Sequence, residues 1–222
     1  SVAIKMMKHD MAMDESFKEQ FTSEARLIAK FNHRNIVDVY DFEKQFRTIF
    51  IIMEFLEGVS LEEMLINRSK LSYEDTVGYL IQVCNGLKYA HIRKVVHQDI
   101  KPANIFIMNN GQIKILDFGL ACSIATKNID FLGSPFYISP EQIEMETVDE
   151  RTDIYSLGIM TFEMITGQRP YPEDDLIKLE DLHVEEDIPD PWEIDPDIPK
   201  ELRNFILKAC QRDPKRRFRN ID

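Results

Sequence analysis

Two short apolar runs, residues 105–108 and 113–116, are separated by an Asn-Asn-Gly sequence at residues 109–111. Apolar segments of this length joined by Asn-Gly are typical of a β-hairpin with a tight turn. If Asn-Gly forms a two-residue turn, the numbers of facing residues add up to 221, and Asn104 lies opposite Asp117. The pattern therefore predicts a hairpin whose open end carries an amide oxygen and a carboxylate, two hard ligands suited to Mg²⁺.

Two further polar residues precede this hairpin by a few positions. Asp99 and Lys101 belong to the segment His-Gln-Asp-Ile-Lys-Pro-Ala-Asn at residues 97–104. Because this segment leads into the first strand, the fold brings both side chains to the open end of the hairpin. One stretch of sequence therefore gathers a candidate base, a cation and two candidate metal ligands.

The composition is that of an ordinary globular chain. Its 222 residues are 44% hydrophobic and 30% charged, which is enough to bury a sizeable core. The longest apolar run, residues 49–53, is far too short to cross a bilayer, and no charged-then-apolar leader opens the sequence. Three cysteines without metal-site spacing favour a reduced compartment. We expect a cytoplasmic domain without membrane contact of its own, either free or part of a membrane-anchored protein.

The formal net charge of -12 argues against a nucleic-acid-binding function, because phosphate contacts need clustered Lys and Arg. The same charge opposes the approach of a polyanionic nucleotide. Any nucleotide site in this chain must therefore be locally basic or assisted by a metal ion.

The first part of the chain is rich in strand patterns. The strand-like runs are residues 2–6, 36–40 and 48–53. Polar residues 43–47 separate the last two runs, which predicts a hairpin. Between the first two runs, apolar side chains recur at helical spacing at Phe17, Phe21, Ile28 and Phe31.

Helical periodicity dominates after a connector at residues 54–58. The predicted helices of this part include residues 76–91, 154–166 and 201–210. We therefore predict an α+β fold with two lobes. The small β-rich lobe covers residues 1–53, and the larger helical lobe covers residues 59–222.

One pair of charges is predicted between the first strand and the following helix. Alternation places Ala3 and Lys5 on the same face of the strand. Glu24 continues the apolar stripe of the helix, and a carboxylate there needs a cationic partner. Lys5 is the candidate partner. An edge lysine on a strand is common, but its combination with Glu24 and the downstream hairpin favours a functional role.

These segments together resemble protein kinases of the Ser/Thr type over nearly the whole chain. Residues 97–104 resemble the catalytic loop, residues 117–119 the metal-binding turn, and residues 2–5 the third strand of the small lobe. Lysine two positions after Asp99 resembles Ser/Thr rather than tyrosine kinases. Residues 133–142 look most like the bacterial eukaryotic-like Ser/Thr kinases.

The resemblance implies ATP and Mg²⁺ as cofactors and a protein hydroxyl as acceptor. The implied catalytic residues are Asp99, Lys101, Lys5 and Glu24, and the implied metal ligands are Asn104 and Asp117. Asp99 would accept the hydroxyl proton, and Lys101 would contact the γ-phosphate. Lys5 would hold the α- and β-phosphates and pair with Glu24.

The resemblance also implies an adenine site. Its residues are Ala3, Lys5, Met53, Glu54, Leu56 and Phe106. Met53 would be the gatekeeper, and adenine would bond to the backbone C=O of Glu54 and N–H of Leu56. Ala3 and Phe106 would lie on either side of the ring, a role that is compatible with simple packing.

Two supporting contacts are implied as well. Glu141 would pair with Arg217, which ties the segment after the metal-binding turn to the helical lobe. Asp153 would hold the backbone of the catalytic loop. Neither residue would take part in the chemistry.

The sequence departs from the kinase pattern at two places. Gln98 occupies a position where the family most often has Arg, the residue that binds an activation-loop phosphate. No Gly-x-Gly-x-x-Gly occurs in the 222 residues, so the chain either omits the first two strands of the small lobe or comes from a protein that lacks them. The alternative function is therefore a pseudokinase that acts as a nucleotide-binding scaffold or regulatory module.

Overall fold

The computed structural model describes residues 1–6, 29–45, 48–118 and 135–222. Within these ranges the strands are β1 (Val2–Met6), β2 (Val39–Gln45), β3 (Thr48–Glu54), β4 (Gly58–Ser60), β5 (Ile105–Met108) and β6 (Ile113–Ile115). The helices are α1 (Leu61–Arg68), α2 (Tyr73–Ile92), α3 (Pro140–Ile143), α4 (Glu150–Thr166), α5 (Leu176–Glu185) and α6 (Lys200–Ala209). Short 3₁₀ helices cover Pro102–Asn104, Pro135–Tyr137, Pro191–Glu193 and Pro214–Arg216. Most of the helix predicted from the spacing of the phenylalanines lies outside the described residues.

The first sheet has the strand order β1-β3-β2, and both pairs are antiparallel. The central strand β3 buries Ile49 and Ile51. The predicted first strand is confirmed, but β2 begins at Val39 and continues into the polar residues predicted as a turn. An edge strand tolerates polar side chains because one of its sides faces solvent. Ile36, predicted as the start of that strand, forms an isolated bridge to Ile115 instead.

The second sheet consists of β4, β5 and β6, again antiparallel. Ile105 faces Ile115, so the numbers of facing residues add up to 220 rather than 221, and the predicted two-residue turn is wrong. The connection has three residues, and Gly111 N–H donates to Met108 O at 2.8 Å. A two-residue type I′ turn requires positive φ at both central residues. Gly111 has a φ of 79°, whereas Asn110 does not adopt positive φ.

The helical part packs around α4, in which most side chains are buried. The three predicted helices are confirmed as α2, α4 and α6 with bounds that differ by up to four residues. Asp149 caps the start of α4, and Gly167 ends the helix with a left-handed φ of 77°. A Cβ at Gly158 would lie 2.5 Å from Cys210 Sγ, so this glycine allows α6 to approach α4 closely. In the part of the chain that the structure describes, no helix is long and apolar enough to cross a bilayer.

Residues 35–37 hold β6 in place. Ile115 N–H donates to Asn35 O at 2.9 Å, and Val37 N–H donates to Ile115 O at 3.0 Å. The buried side chain of Asn35 donates to Ile113 O at 3.0 Å. The strand that leads to Asp117 is therefore fixed by a segment that comes directly before the first hairpin.

Candidate active site

The loop that carries Asp99 is anchored by Asp153, a fully buried residue of α4. Its carboxylate accepts hydrogen bonds from His97 N at 2.9 Å and from Gln98 N at 2.7 Å. Gln98 has a φ of 64°, a region that residues other than glycine seldom occupy. The two hydrogen bonds to Asp153 stabilise this backbone conformation, and the predicted role of Asp153 as a loop support is confirmed.

His97 joins the loop to the end of β6. The imidazole is fully buried, with Nδ1 3.2 Å from Asp99 N and Nε2 2.7 Å from Leu116 O. Because the backbone N–H donates to Nδ1 and the carbonyl accepts, Nε2 is the ring nitrogen that donates. Its edge also packs against Phe118 at a centroid distance of 4.6 Å. His97 thus couples the position of Asp99 to that of the residues around Asp117.

Both oxygens of the Asp99 carboxylate are held. Lys101 Nζ donates to Oδ1 at 2.9 Å, and Asn104 Nδ2 donates to Oδ2 at 2.8 Å. Asn104 Nδ2 also donates to the backbone O of Asp99 at 2.8 Å, which uses both hydrogens of the amide. Asn104 Oδ1 is then the atom of this side chain that can ligate a cation. The structure brings these three residues together, with the carboxylate in a defined orientation.

Asp117 follows β6 and has a φ of 58°, in the left-handed region. Leu116 N–H donates to Asn104 O at 2.8 Å. Asn104 therefore faces Leu116 rather than Asp117, and the predicted pairing is wrong by one residue because the turn contains three residues. The two candidate metal ligands still lie at the same end of the hairpin, one residue apart in register.

Lys5 contacts Asp117, with 2.6 Å between Nζ and Oδ2. The predicted partner of Lys5, Glu24, lies outside the described residues, so that pair stays a prediction. The side chains of Lys5 and Asp117 are 45% and 26% exposed. An ion pair so open to water contributes only about 0–1 kcal/mol, so a ligand with phosphate groups can replace it at little cost.

The residues expected around adenine are distributed over both sheets. Ala3 and Met53 face each other across β1 and β3, and both are partly buried. Glu54 ends β3, and Leu56 lies in the connection that leads to β4. Phe106 lies on β5 in the second sheet. The backbone groups proposed to bind adenine therefore lie at the end of β3, for Glu54, and in the connection between the sheets, for Leu56.

The predicted pair of Glu141 and Arg217 is confirmed. Arg217 Nη1 and Nη2 donate to the two carboxylate oxygens at 2.7 and 2.8 Å, and Thr152 Oγ1 donates a third bond at 2.7 Å. Burial raises the pKa of Glu141, but the hydrogen bonds and charge of Arg217 outweigh it, so the pKa lies below its ordinary value. This pair joins α3, α4 and the segment after α6.

Comparison with known sequences decides the kind of protein to which this site belongs. The family described as protein kinase domain matches residues 1–220. The chain belongs to the protein kinase family. The resemblance inferred from the catalytic loop and the metal-binding turn is therefore confirmed.

The kinase has curated bacterial relatives. PrkC of Bacillus subtilis is 34% identical over 100% of this chain and 35% of its own length. PknL of Mycobacterium tuberculosis is 36% identical over 98% of this chain and 55% of its own length. A probable serine/threonine-protein kinase of Clostridium acetobutylicum is 36% identical over 100% of this chain. The chain spans about a third of the length of the first and third of these relatives, at 35% and 34%.

A solved structure has the same fold. The kinase domain of PknI from Mycobacterium tuberculosis, in a variant with one cysteine replaced by alanine, superposes with a TM-score of 0.81 at 25% identity. The superposition covers 99% of this chain and 80% of that chain. The predicted α+β kinase fold is therefore confirmed.

Three residues of this kinase site were not singled out from the sequence. They are His97, Asn35 and Lys114, and all three are buried. For His97 the signal was its place at the start of residues 97–104, two positions before the candidate base Asp99. No local sequence pattern marks Asn35 or Lys114, because the residues that they contact are far away along the chain.

Proposed function

We propose that this chain is the catalytic domain of a serine/threonine protein kinase, which transfers the γ-phosphate of ATP to a protein Ser or Thr hydroxyl. The observation that carries the proposal is the network at Asp99. Its carboxylate is bonded on both oxygens by Lys101 and Asn104. The relatives, which are named as serine/threonine protein kinases, support the same acceptor class.

The chemistry proposed for Asp99 and Lys101 follows from their positions. A carboxylate held in one orientation can accept the proton of an acceptor hydroxyl as the hydroxyl oxygen attacks phosphorus. Lys101, two residues later, would place its ammonium against the γ-phosphate and balance the charge that develops there. Because the loop is already anchored by Asp153, little reorganisation is needed before the reaction.

The donor set fits magnesium. Asn104 Oδ1 and the carboxylate of Asp117 are the proposed ligands, and both are hard oxygens. Within residues 1–6, 29–45, 48–118 and 135–222, no group of three or more His, Cys, Asp or Glu side chains forms a metal cage. Magnesium at kinase sites needs only one or two carboxylates, since substrate phosphates and water complete its coordination. When bound, the ion neutralises charge on the phosphates.

The remaining proposed roles concern the nucleotide. Lys5 would exchange its contact with Asp117 for the α- and β-phosphates, with Glu24 as its partner in the assembled site. Adenine would bond to the backbone of Glu54 and Leu56. The proposed ring contacts and gatekeeper are Ala3, Phe106 and Met53. We accordingly divide the domain into a small lobe, residues 1–53, a hinge, residues 54–58, and a large lobe, residues 59–222.

We also propose a cytoplasmic location for this domain and a protein as its partner. Cys84 and Cys210 are free thiols, which suits a reducing compartment. Burial raises the pKa of the Cys84 thiol to about 11 and raises that of Cys210 as well, so neither is an activated nucleophile.

The test is transfer of labelled γ-phosphate from ATP to a generic basic protein by the full-length protein. Asp99→Asn keeps the shape of the side chain but removes the base, so we expect kcat to fall by about 10²–10⁴-fold. Asp117→Asn is expected to abolish transfer at physiological Mg²⁺ and to restore part of it at high Mg²⁺. Asp174→Asn, at an exposed position, is the matched control.

Equal transfer by all four proteins would contradict the assigned mechanism. Nucleotide binding without transfer by the wild type would establish the scaffold alternative. Against that alternative, Lys5, Asp99, Lys101, Asn104 and Asp117 are all present, and the Asp99 carboxylate accepts hydrogen bonds from Lys101 and Asn104.

A further inference from the structure

Lys114 is a lysine inside the protein core. It lies on β6 between Ile113 and Ile115, and all three residues of this strand are buried. Only 7% of its side chain is exposed, against 45% for Lys5. An ammonium group taken out of water costs several kcal/mol unless it is paired and hydrogen-bonded, so the contacts of Lys114 must offset that cost.

The ammonium of Lys114 contacts two acceptors, one on Glu54 at the end of β3 and one on Ile36, which precedes β2. It pairs with the Glu54 carboxylate and donates to Ile36 O at 3.1 Å. Glu54 Oε1 also accepts a hydrogen bond from Asp38 N at 2.8 Å. Glu54 N in turn donates to Asp38 O at 2.9 Å. Side chain and backbone of Glu54 are therefore both fixed, and Lys114 is the group that connects them to β6.

The contact between Lys114 and Glu54 connects two parts of the proposed nucleotide site because of where Lys114 lies along β6. Asp117 lies three residues after Lys114, and Glu54 is the residue whose backbone C=O is proposed to accept from adenine. One ion pair, with Lys114 buried and the Glu54 side chain 17% exposed, thus links the residue proposed to receive adenine to the strand that leads to Asp117. Because its carboxylate and ammonium are held by further hydrogen bonds, the pair has one defined geometry.

We propose that Lys114 is a positioning residue for nucleotide binding: through Glu54 it fixes the backbone that receives adenine relative to the strand that carries Asp117. This inference rests on the proposed function. Lys114 itself touches neither adenine nor phosphate. Loss of Lys114 would therefore lower the affinity for every ligand that contains adenine by the same factor, whether or not phosphates are attached.

The experiment is a double-mutant cycle with Lys114→Met, Glu54→Met and the double variant in the full-length protein. The probes are adenosine and ATP with Mg²⁺, measured by calorimetry, together with KM for ATP and kcat. We expect each single variant to lower the affinities for adenosine and for ATP alike by about tenfold, because adenine meets a misplaced backbone. The double variant is expected to lose about tenfold as well, rather than a hundredfold, because the two residues act as one unit.

The controls distinguish an effect on the position of the Glu54 backbone from an effect on the stability of the protein. Methionine at both positions replaces an ion pair that has little contact with water by apolar side chains of similar length, which is often neutral for stability. The double variant is therefore expected to melt near the wild type while its adenosine affinity stays low. Lys70→Met removes a lysine from the exposed pair with Asp195 and should leave both affinities unchanged.

Three outcomes would overturn the inference. Adenosine affinity equal to wild type in Lys114→Met or in the double variant would show that the pair has a purely structural role. Loss of ATP affinity with unchanged adenosine affinity would place Lys114 at the phosphates instead. A fall in kcat without a change in either affinity would mean that it acts on Asp117 alone. A wild type that binds neither ligand would instead contradict the proposed function.

Discussion

Two ion pairs of this kinase domain differ in how much water reaches them. Lys5 and Asp117 are 45% and 26% exposed, whereas Arg217 and Glu141 are 0% and 4% exposed. In the first pair Lys5 Nζ lies 2.6 Å from Asp117 Oδ2, while the second has two parallel hydrogen bonds and a third from Thr152. An exposed pair contributes little stability and can exchange partners, whereas breaking a buried pair leaves an uncompensated charge. Exposure thus distinguishes the pair proposed to meet substrate, Lys5 and Asp117, from the pair that holds the fold, Arg217 and Glu141.

The largest expected effect is on the buried pair. Arg217→Met removes the cation and leaves the Glu141 carboxylate buried, so we expect the free energy of unfolding to fall by about 3–5 kcal/mol. Chemical denaturation measures this change. The activity per folded molecule should stay within a few-fold of the wild type.

Arg216→Met is the control for this variant, because Arg216 is the adjacent residue and is exposed. It should change the free energy of unfolding by less than about 0.5 kcal/mol. A loss below about 1 kcal/mol for Arg217→Met would mean that the buried pair does not carry the stability assigned to it.

The exposed pair should behave in the opposite way. Lys5→Met is expected to lower kcat/KM for ATP by about 10²–10³-fold, because the cation proposed to hold the phosphates is lost. Its free energy of unfolding should change by no more than about 1 kcal/mol. Steady-state kinetics and denaturation on the same preparation test both statements.

Lys88→Met is the matched control, since Lys88 forms another exposed lysine–aspartate pair, with Asp222. Its kinetics should equal those of the wild type. If Lys5→Met unfolded the protein, or left kcat/KM unchanged, the comparison between the two pairs would fail.

The buried residue His183 makes the free energy of unfolding depend on pH. His183 is fully buried with Nδ1 2.8 Å from the Tyr155 hydroxyl, and burial lowers its pKa from 6.5 to about 4. The unfolded chain therefore takes up the proton first as the pH falls. The contribution of His183 is complete above pH 6.5 and is lost as the pH falls towards 4, by about 3 kcal/mol.

The free energy of unfolding, measured between pH 7 and 4, tests this expectation. His183→Asn keeps a polar atom near the Tyr155 hydroxyl but cannot titrate, so its stability should vary less over that range. Glu141 adds a loss of the same sign at lower pH, because its pKa is below the ordinary value. A variant and wild type with parallel curves would refute the assignment to His183.

The smallest expected effect concerns regulation. Gln98 cannot offer a charge-assisted bond to a phosphate, so treatment with a phosphatase should change the specific activity by less than about twofold. Ser123 and Thr126, two hydroxyl residues that could accept a phosphate after the predicted metal-binding turn, lie outside the described residues. A large loss on treatment, restored by rephosphorylation, would show that control does depend on phosphate.

Local patterns predicted much of the fold. The first strand, the second hairpin and the helices α2, α4 and α6 follow from periodicity, because each pattern reports which face of one element is buried. The errors lie where tertiary contacts decide. Polar residues 43–45 form part of an edge strand. The turn that ends at Gly111 contains three residues rather than two, because a two-residue type I′ turn needs positive φ at Asn110 as well as at Gly111.

The family and the proposed polar residues of the site could be predicted from the sequence alone, because the spacing of Asp99, Lys101, Asn104 and Asp117 is a local property that can be read along one segment. The tertiary structure decided which partners these residues have. The contact of Lys5 with Asp117 and that of Lys114 with Glu54 join residues 112 and 60 positions apart. No local pattern specifies such pairs, since a charge on a strand is equally compatible with solvent until packing encloses it. Lys5 is exposed and is proposed to change partners, whereas Lys114 is buried and keeps its contact with Glu54.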